Sequence, residues 1–160
     1  MNPANNSFIV FFTNPIFLSA IFSWLGAQFI KTIIELFYGK ITSFKSLLES
    51  MFWKTGGMPS SHSAIVMAVC VSIGIKEGTT SGVFMVALLF TFITMRDAVG
   101  VRRSSGIQSQ KINELGKLLE ENGTIEKYTP IKEVNGHTPM QVVLGSLLGA
   151  LIGFSMSLLS

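Results

Sequence analysis

The sequence predicts an all-α integral membrane bundle of about four transmembrane helices plus a surface amphipathic helix. Three observations carry that prediction. Of 160 residues, 48% are hydrophobic and only 13% charged, where an ordinary soluble domain carries roughly 25% charge. The mean hydropathy is +0.51. The apolar residues gather into runs of near-spanning length, separated by polar loops. Length and composition describe a single membrane domain over 1–160 and exclude a disordered or nucleic-acid-binding tail. The net charge of +3 suits a membrane-facing surface or an anionic ligand without choosing between them. A single cysteine, Cys70, lies in an apolar run, which rules out an internal disulfide and a cysteine-type zinc site.

Taken in order, the first segment is uncharged from Phe8 to Ile30 and continues through Lys31 and Glu35 to Tyr38. A hydrocarbon core needs about 20 such residues. A cleaved signal peptide would want positive charge ahead of the run, and no Lys or Arg precedes Lys31. The second segment, Ser61 to Ile75, and the third, Gly82 to Met95, are separated only by Lys76-Glu77-Gly78-Thr79-Thr80-Ser81. Such a short polar, glycine-containing link reverses the chain between antiparallel helices. In the long polar stretch Arg96 to Pro139, Ile107, Ile112, Leu115, Leu118 and Leu119 fall near one face of a helix that Asn122-Gly123 would end, lying on the membrane or capping the bundle. The fourth segment, Met140 to Leu159, carries Gly145, Gly149 and Gly153 at four-residue spacing. That face invites close approach of another helix backbone, within the chain or in a homodimer.

Threading these segments puts the loops 39–60 and 96–139 on one side. Ten of the twelve basic residues fall there: Lys40, Lys45, Lys54, Arg96, Arg102, Arg103, Lys111, Lys117, Lys127 and Lys132. By the positive-inside rule that side faces the cytoplasm, with both termini outside.

Three polar clusters then converge on it. The first, Gly56-Gly57-Met58-Pro59-Ser60-Ser61-His62-Ser63-Ala64, reads as a helix start with Ser60 or Ser61 as cap. Glycines let backbone N–H groups close on a ligand, and the helix start adds orphan donors and the positive end of a dipole. A histidine in that first turn is placed to donate a proton to a departing alcohol. The second cluster, Arg96-Asp97-Ala98-Val99-Gly100-Val101-Arg102-Arg103, offers guanidinium forks for phosphate oxygens or simply anchors topology. Asp97 is placed to orient an arginine or a histidine, or to neutralise Arg96. The third, Asn135-Gly136-His137-Thr138-Pro139-Met140-Gln141-Val142, again sets a glycine and a histidine at a helix start, with Pro139 in the first turn. Both histidines of the chain therefore sit at glycine-flanked helix starts on one membrane side. With no Cys, His or carboxylate cluster at metal-ligand spacing, the parts suit phosphoryl transfer without a metal or other cofactor. One imidazole attacks phosphorus, the other protonates the leaving oxygen, and the cations neutralise the equatorial oxygens.

These motifs, together with Ala27-Gln28-Phe29-Ile30-Lys31, resemble the divergent type-2 phosphatidic acid phosphatase family, related to acid phosphatases and vanadium haloperoxidases. The resemblance implies that the superfamily's Pro-Ser-Gly-His phosphate motif falls on Pro59, Ser60, Ser61 and His62, with His62 as proton donor. It implies that the nucleophile is His137, with Val142 and Gly145 in register behind it. The acid expected to orient that nucleophile is Gln141 here, and Asp97 is a candidate substitute. The arginine expected six residues before His137 is Ile131, leaving Arg102 or Arg103 to replace it. Lys31 and Lys40 stand nearest to the superfamily's first motif, since Tyr38 occupies the position expected to hold its arginine.

The expected protein is thus a lipid phosphate phosphatase of the bacterial-type plasma membrane. His137, His62 and Asp97 are the expected catalytic residues, and Ser60, Ser61, Arg102, Arg103 and Lys31 the expected phosphate ligands. Its partners would be membrane lipids, a phosphorylated lipid substrate and a second copy of the chain, and no nucleic acid. The rival expectation is a non-catalytic membrane protein that binds phosphate or lipid headgroups with a degenerate site, for which the neutral Gln141 speaks.

Overall fold

Proline, serine and glycine decide where the helices begin and end. The computed structural model describes residues 3–52, 56–133 and 136–159; Lys54 and Asn135, named above, lie outside them. The helices are α1 (Pro3–Phe12), α2 (Pro15–Phe37), α3 (Phe44–Phe52), α4 (Ser61–Lys76), α5 (Gly82–Val99), α6 (Val101–Glu121) and α7 (Pro139–Leu159). The first apolar run, expected to be continuous from Phe8 to Tyr38, is divided at Thr13 and Asn14. Asn14 Oδ1 accepts from the Ile16 N–H at 2.8 Å, and Pro15, which lacks an N–H, takes the first helical position. That pair starts a new helix inside an uninterrupted apolar stretch.

Ser60 caps α4, its Oγ accepting from the Ser63 N–H, and Ser81 caps α5 through the Phe84 N–H. At α7 the pairing is reciprocal: the Thr138 N–H donates to Gln141 Oε1 at 2.9 Å, and the Gln141 N–H donates to Thr138 Oγ1 at 3.4 Å. Thr-Pro-Met-Gln is therefore a capping box.

Helices α4 and α7 pack in parallel along the glycine stripe. Gly145 rests on the Ser60 carbonyl, Gly149 on that of Ala64 and Gly153 on that of Ala68, each so close that a Cβ would collide with backbone. One turn further, Ser157 donates to Ser72 across the interface at 2.8 Å. Without side chains in the way the two backbones approach directly, as small residues allow between helices in lipid. The face expected to serve a second copy is thus filled by α4 of the same chain.

Helix α2 runs antiparallel to this pair, with Lys31 beside Ser61 at one end and Gly26 against Ile152 further in. Helix α5 runs antiparallel to α4, with Phe84 over Gly74 and Thr91 donating to the Val66 carbonyl at 3.1 Å. The interior is made of small and hydroxylic side chains, including Ala27, Ala64, Ala68, Ser19, Ser23 and Ser63, while Leu147, Leu151 and Phe154 point outward. Large apolar groups outside and small ones inside are what a lipid solvent selects, because apolar burial contributes little there and close packing contributes most. Three stretches, Pro15–Phe37, Gly82–Glu121 and Pro139–Leu159, are long and apolar enough to cross a membrane, the second through its α5 part. The chain is a helical membrane bundle. Helix α4, at 16 residues, is about 24 Å long and forms the centre that α2, α5 and α7 surround.

Candidate phosphate site at the convergence of two helix starts

The parallel run of α4 and α7 brings two helix N-termini to one point, fixed by the Ser60 N–H donating to the Gln141 carbonyl at 2.9 Å. Parallel dipoles repel each other, yet their positive ends together make a stronger anion site than either alone. The C-terminal half of α2 adds Lys31, only 5% exposed, whose Nζ donates to Ser61 Oγ at 3.2 Å. A buried ammonium inside a membrane segment needs a counter-charge or a polar partner, and Glu35, itself accepting from Ser50 Oγ at 2.7 Å, supplies the nearer negative field.

His137 is held by three contacts. Its backbone N–H donates to the Ala98 carbonyl at 3.2 Å, one of the carbonyls left without an intrahelical partner at the end of α5. Gly136 packs against the Arg103 backbone so tightly that a Cβ there would overlap Arg103 Cα. The ring Nδ1 lies 3.2 Å from Gln141 Oε1. That same oxygen already accepts from the Thr138 N–H, so it is the acceptor toward Nδ1 as well. Nδ1 accordingly carries the proton, and Nε2 is left with its lone pair. Burial, with 5% of the residue exposed, pushes the His137 pKa below the ordinary imidazole value. The Gln141 hydrogen bond opposes that shift, and the positive charges of Lys31, His62 and Arg102 reinforce it.

His62, on the first turn of α4, is exposed to an open cleft of about 360 Å³ whose other walls are Ile65, Val66, Phe90, Ile93, Thr94, Asp97 and Arg102. The cleft is polar at the His62 end and apolar along α4 and α5. Arg102 Nε donates to Asp97 Oδ2 at 2.5 Å, and Arg102, Lys31 and Asp97 all act electrostatically on the His62 ring.

Lys31, Ser60, Ser61, His62, Asp97, Arg102 and His137 therefore meet at one end of the bundle. Three placements differ from the sequence reading. The Ser60 hydroxyl is fully buried and accepts from both the Ser63 N–H and, at 3.0 Å, Ser63 Oγ, so Ser60 contributes the helix start it caps. The acceptor on His137 is Gln141; Asp97 is engaged by Arg102 instead, because the two share one face across the α5–α6 junction. Arg103 supplies backbone beneath Gly136, and its side chain is exposed. The sequence reading missed the Ala98 carbonyl and Ser63. A backbone carbonyl leaves no residue-type signal, whereas Ser63, three residues after Ser60, was open to recognition as a cap partner. Among the described residues no group of three His, Cys, Asp or Glu side chains gathers as a metal site.

Residues 12–152 match the Divergent PAP2 family, and the chain belongs to it. It is 37% identical over 150 residues to an uncharacterized membrane protein, YuiD, of Bacillus subtilis (strain 168), a similarity covering 88% of this chain and 92% of YuiD. No solved structure matches it.

Proposed function

We propose that the protein is a lipid phosphate phosphatase working through a phosphohistidine intermediate, without a metal. The observation that carries the proposal is the meeting of both imidazoles with two helix N-termini, Lys31 and Arg102 at one end of the bundle. The phosphate of the substrate occupies the cradle, its oxygens facing the α4 start, the Ser61 hydroxyl, Lys31 and Arg102. His137 Nε2 attacks phosphorus, forming an N–P bond as the P–O bond to the lipid breaks. His62, protonated, gives its proton to the leaving oxygen, and the alcohol departs. Water then attacks the phosphohistidine, His62 takes its proton, and inorganic phosphate leaves with His137 restored. Charge developing on the equatorial oxygens is met by preorganised donors rather than by mobile water. Asp97 holds Arg102 and offsets the positive charge around His62.

A lipid substrate is supported by the cleft, whose apolar walls Ile65, Val66, Phe90 and Ile93 run from the His62 end along two membrane helices. The excess of basic residues on the site side supports a cytoplasmic facing of the site in the plasma membrane.

The test is release of inorganic phosphate from a panel of lipid monophosphates and diphosphates by detergent-solubilised protein, with vanadate as competitor. His137→Ala is expected to abolish turnover, and His62→Ala to reduce it about 10²- to 10⁴-fold, the usual span of a general acid. Unchanged turnover in both variants refutes the mechanism. A second reading, phosphate or headgroup binding without catalysis, is favoured by the neutral Gln141 beside His137. Vanadate binding with no hydrolysis, in both the native protein and Gln141→Glu, would select it.

A further inference from the structure

Helix α6 carries an apolar face that no other described residue covers. Among the helices it packs only against α5. An adjoining face, with Gly106, Asn113 and Gly116, grips the segment returning to His137: Asn113 Nδ2 donates to the Ile131 carbonyl at 3.0 Å, Asn113 Oδ1 accepts from the Ile131 N–H at 2.9 Å and from the Tyr128 hydroxyl at 2.7 Å, and the Tyr128 ring lies over Gly116. The uncovered row runs Val101, Gln108, Ile112 and Leu115, spaced by seven, four and three residues, which is one side of a helix. Val101 is 70% exposed, Ile112 50% and Leu115 57%.

The direction in which this row faces follows from the elbow at Gly100. Helices α5 and α6 meet there with backbone angles of φ −100° and ψ −89°, and the bend encloses a concavity of about 660 Å³ between Arg96, Val99, Val101, Ser104 and Gln108. The inside of the elbow is thus the α6 row that continues into Ile112 and Leu115. On the α5 side it is the row that continues from Arg96 back into Phe92 and Leu89, both 61% exposed, on a helix that crosses the membrane. One uninterrupted apolar surface turns the corner, with Arg96, Ser104 and Gln108 as polar groups in the crook.

We infer that α6 is an interfacial helix whose Val101–Ile112–Leu115 row docks on the bilayer surrounding α5, with a lipid phosphate headgroup held in the elbow by Arg96, Ser104 and Gln108. The commitment to lipid rests on continuity with the exposed apolar side of α5 and on the charge of Arg96 in the last turn of that apolar helix. This surface lies on the outer side of α5, away from the cleft that His62 and Arg102 share, and its existence does not depend on the phosphatase reading. Because α6 also holds the segment that returns to His137 through Asn113, docking α6 on the bilayer fixes where that segment lies.

The test is site-directed spin labelling of the full chain in nanodiscs of phosphatidylcholine and phosphatidylglycerol. Single cysteines are introduced at Ile112, Leu115, Gln110 and Glu121 in a Cys70→Ala background, with Leu89→Cys as the acyl-region reference. Labels at 112 and 115 are expected to collide preferentially with oxygen, as at 89. Labels at 110 and 121, on the opposite side, are expected to collide preferentially with an aqueous nickel chelate. With Arg96 intact the labels at 112 and 115 are expected to move toward water when phosphatidylglycerol is replaced by phosphatidylcholine, and in the Arg96→Gln background that dependence is expected to be lost. Equal aqueous access at all four α6 positions overturns the inference. So does spin–spin broadening between copies at 112 and 115 with oxygen excluded, which would mean that a second chain covers the row.

Discussion

Replacing Gln141 by Glu tests how the site controls its nucleophile. In the native protein the amide oxygen accepts from both Thr138 N–H and His137 Nδ1, the latter at 3.2 Å. Gln141→Glu retains an acceptor at that place and adds one negative charge. Two unit charges at that separation attract by about 1 kcal/mol at a dielectric of about 80 and by about 5 kcal/mol at about 20. One pKa unit corresponds to about 1.4 kcal/mol. Gln141 is half-buried and the carboxylate shares its field with Lys31 and Arg102, so a rise of about 1 to 2 units in the His137 pKa is expected. With only two histidines in the chain, ring Cε1–H resonances of selectively labelled protein resolve both titrations, and His62→Asn assigns them. The His137 midpoint should rise and the His62 midpoint should move less. An unchanged His137 midpoint would refute the arrangement, whatever the protein hydrolyses. The same charge at the mouth of two helix starts opposes an incoming anion, so vanadate is expected to bind more weakly to this variant.

Other expectations follow from the same geometry. Because burial holds the folded-state pKa of His137 below its unfolded value, the unfolded chain binds more protons as pH drops through the window below about 6.5; the His137 contribution destabilises the fold there and vanishes above it, as unfolding midpoints in detergent at pH 5 and pH 8, compared between native protein and His137→Gln, would show. Gly149→Ala puts a methyl group into the Ala64 carbonyl and should cost about 1 to 3 kcal/mol, against a gain of at most about 1 kcal/mol in helix propensity. Gly26→Ala, whose Cβ would meet only the flexible Ile152 Cδ1 at 3.2 Å, is the near-neutral control, and equal stability of the two variants would contradict backbone-to-backbone packing. Lys31→Met keeps the length and removes the buried charge beside Ser61, so vanadate affinity should fall while the unfolding midpoint holds or rises, since desolvating that ammonium is costly. Gly136→Ala should displace the His137 segment from Arg103 and broaden or shift the His137 resonance while leaving that of His62 in place.

The helical membrane class was legible because it depends on solvent and period alone: apolar runs near spanning length, polar links, and a cap at Ser60 or Ser61 that needs only its neighbours in sequence. The gathering of charge and both histidines at helix starts was legible for the same reason. The division of the first segment at Asn14-Pro15 was equally local, but uniform hydrophobicity around it conceals a break that only a cap and a missing N–H announce. Which partner each side chain takes was decided by the tertiary structure. A glycine stripe states that a backbone approaches and is silent on whose; parallel packing against α4 answered it and, in doing so, brought two positive helix ends together. Gln141 as the His137 acceptor follows from a capping box that turns its oxygen toward both Thr138 and the ring, while Arg102 draws Asp97 away across the Gly100 elbow. Residue types and their spacing determine which chemistry this chain can perform, since they set local conformation and charge. Only the fold could select the pairs, because hydrogen bonds and ion contacts between distant segments depend on helix direction and axial register, which no local pattern encodes.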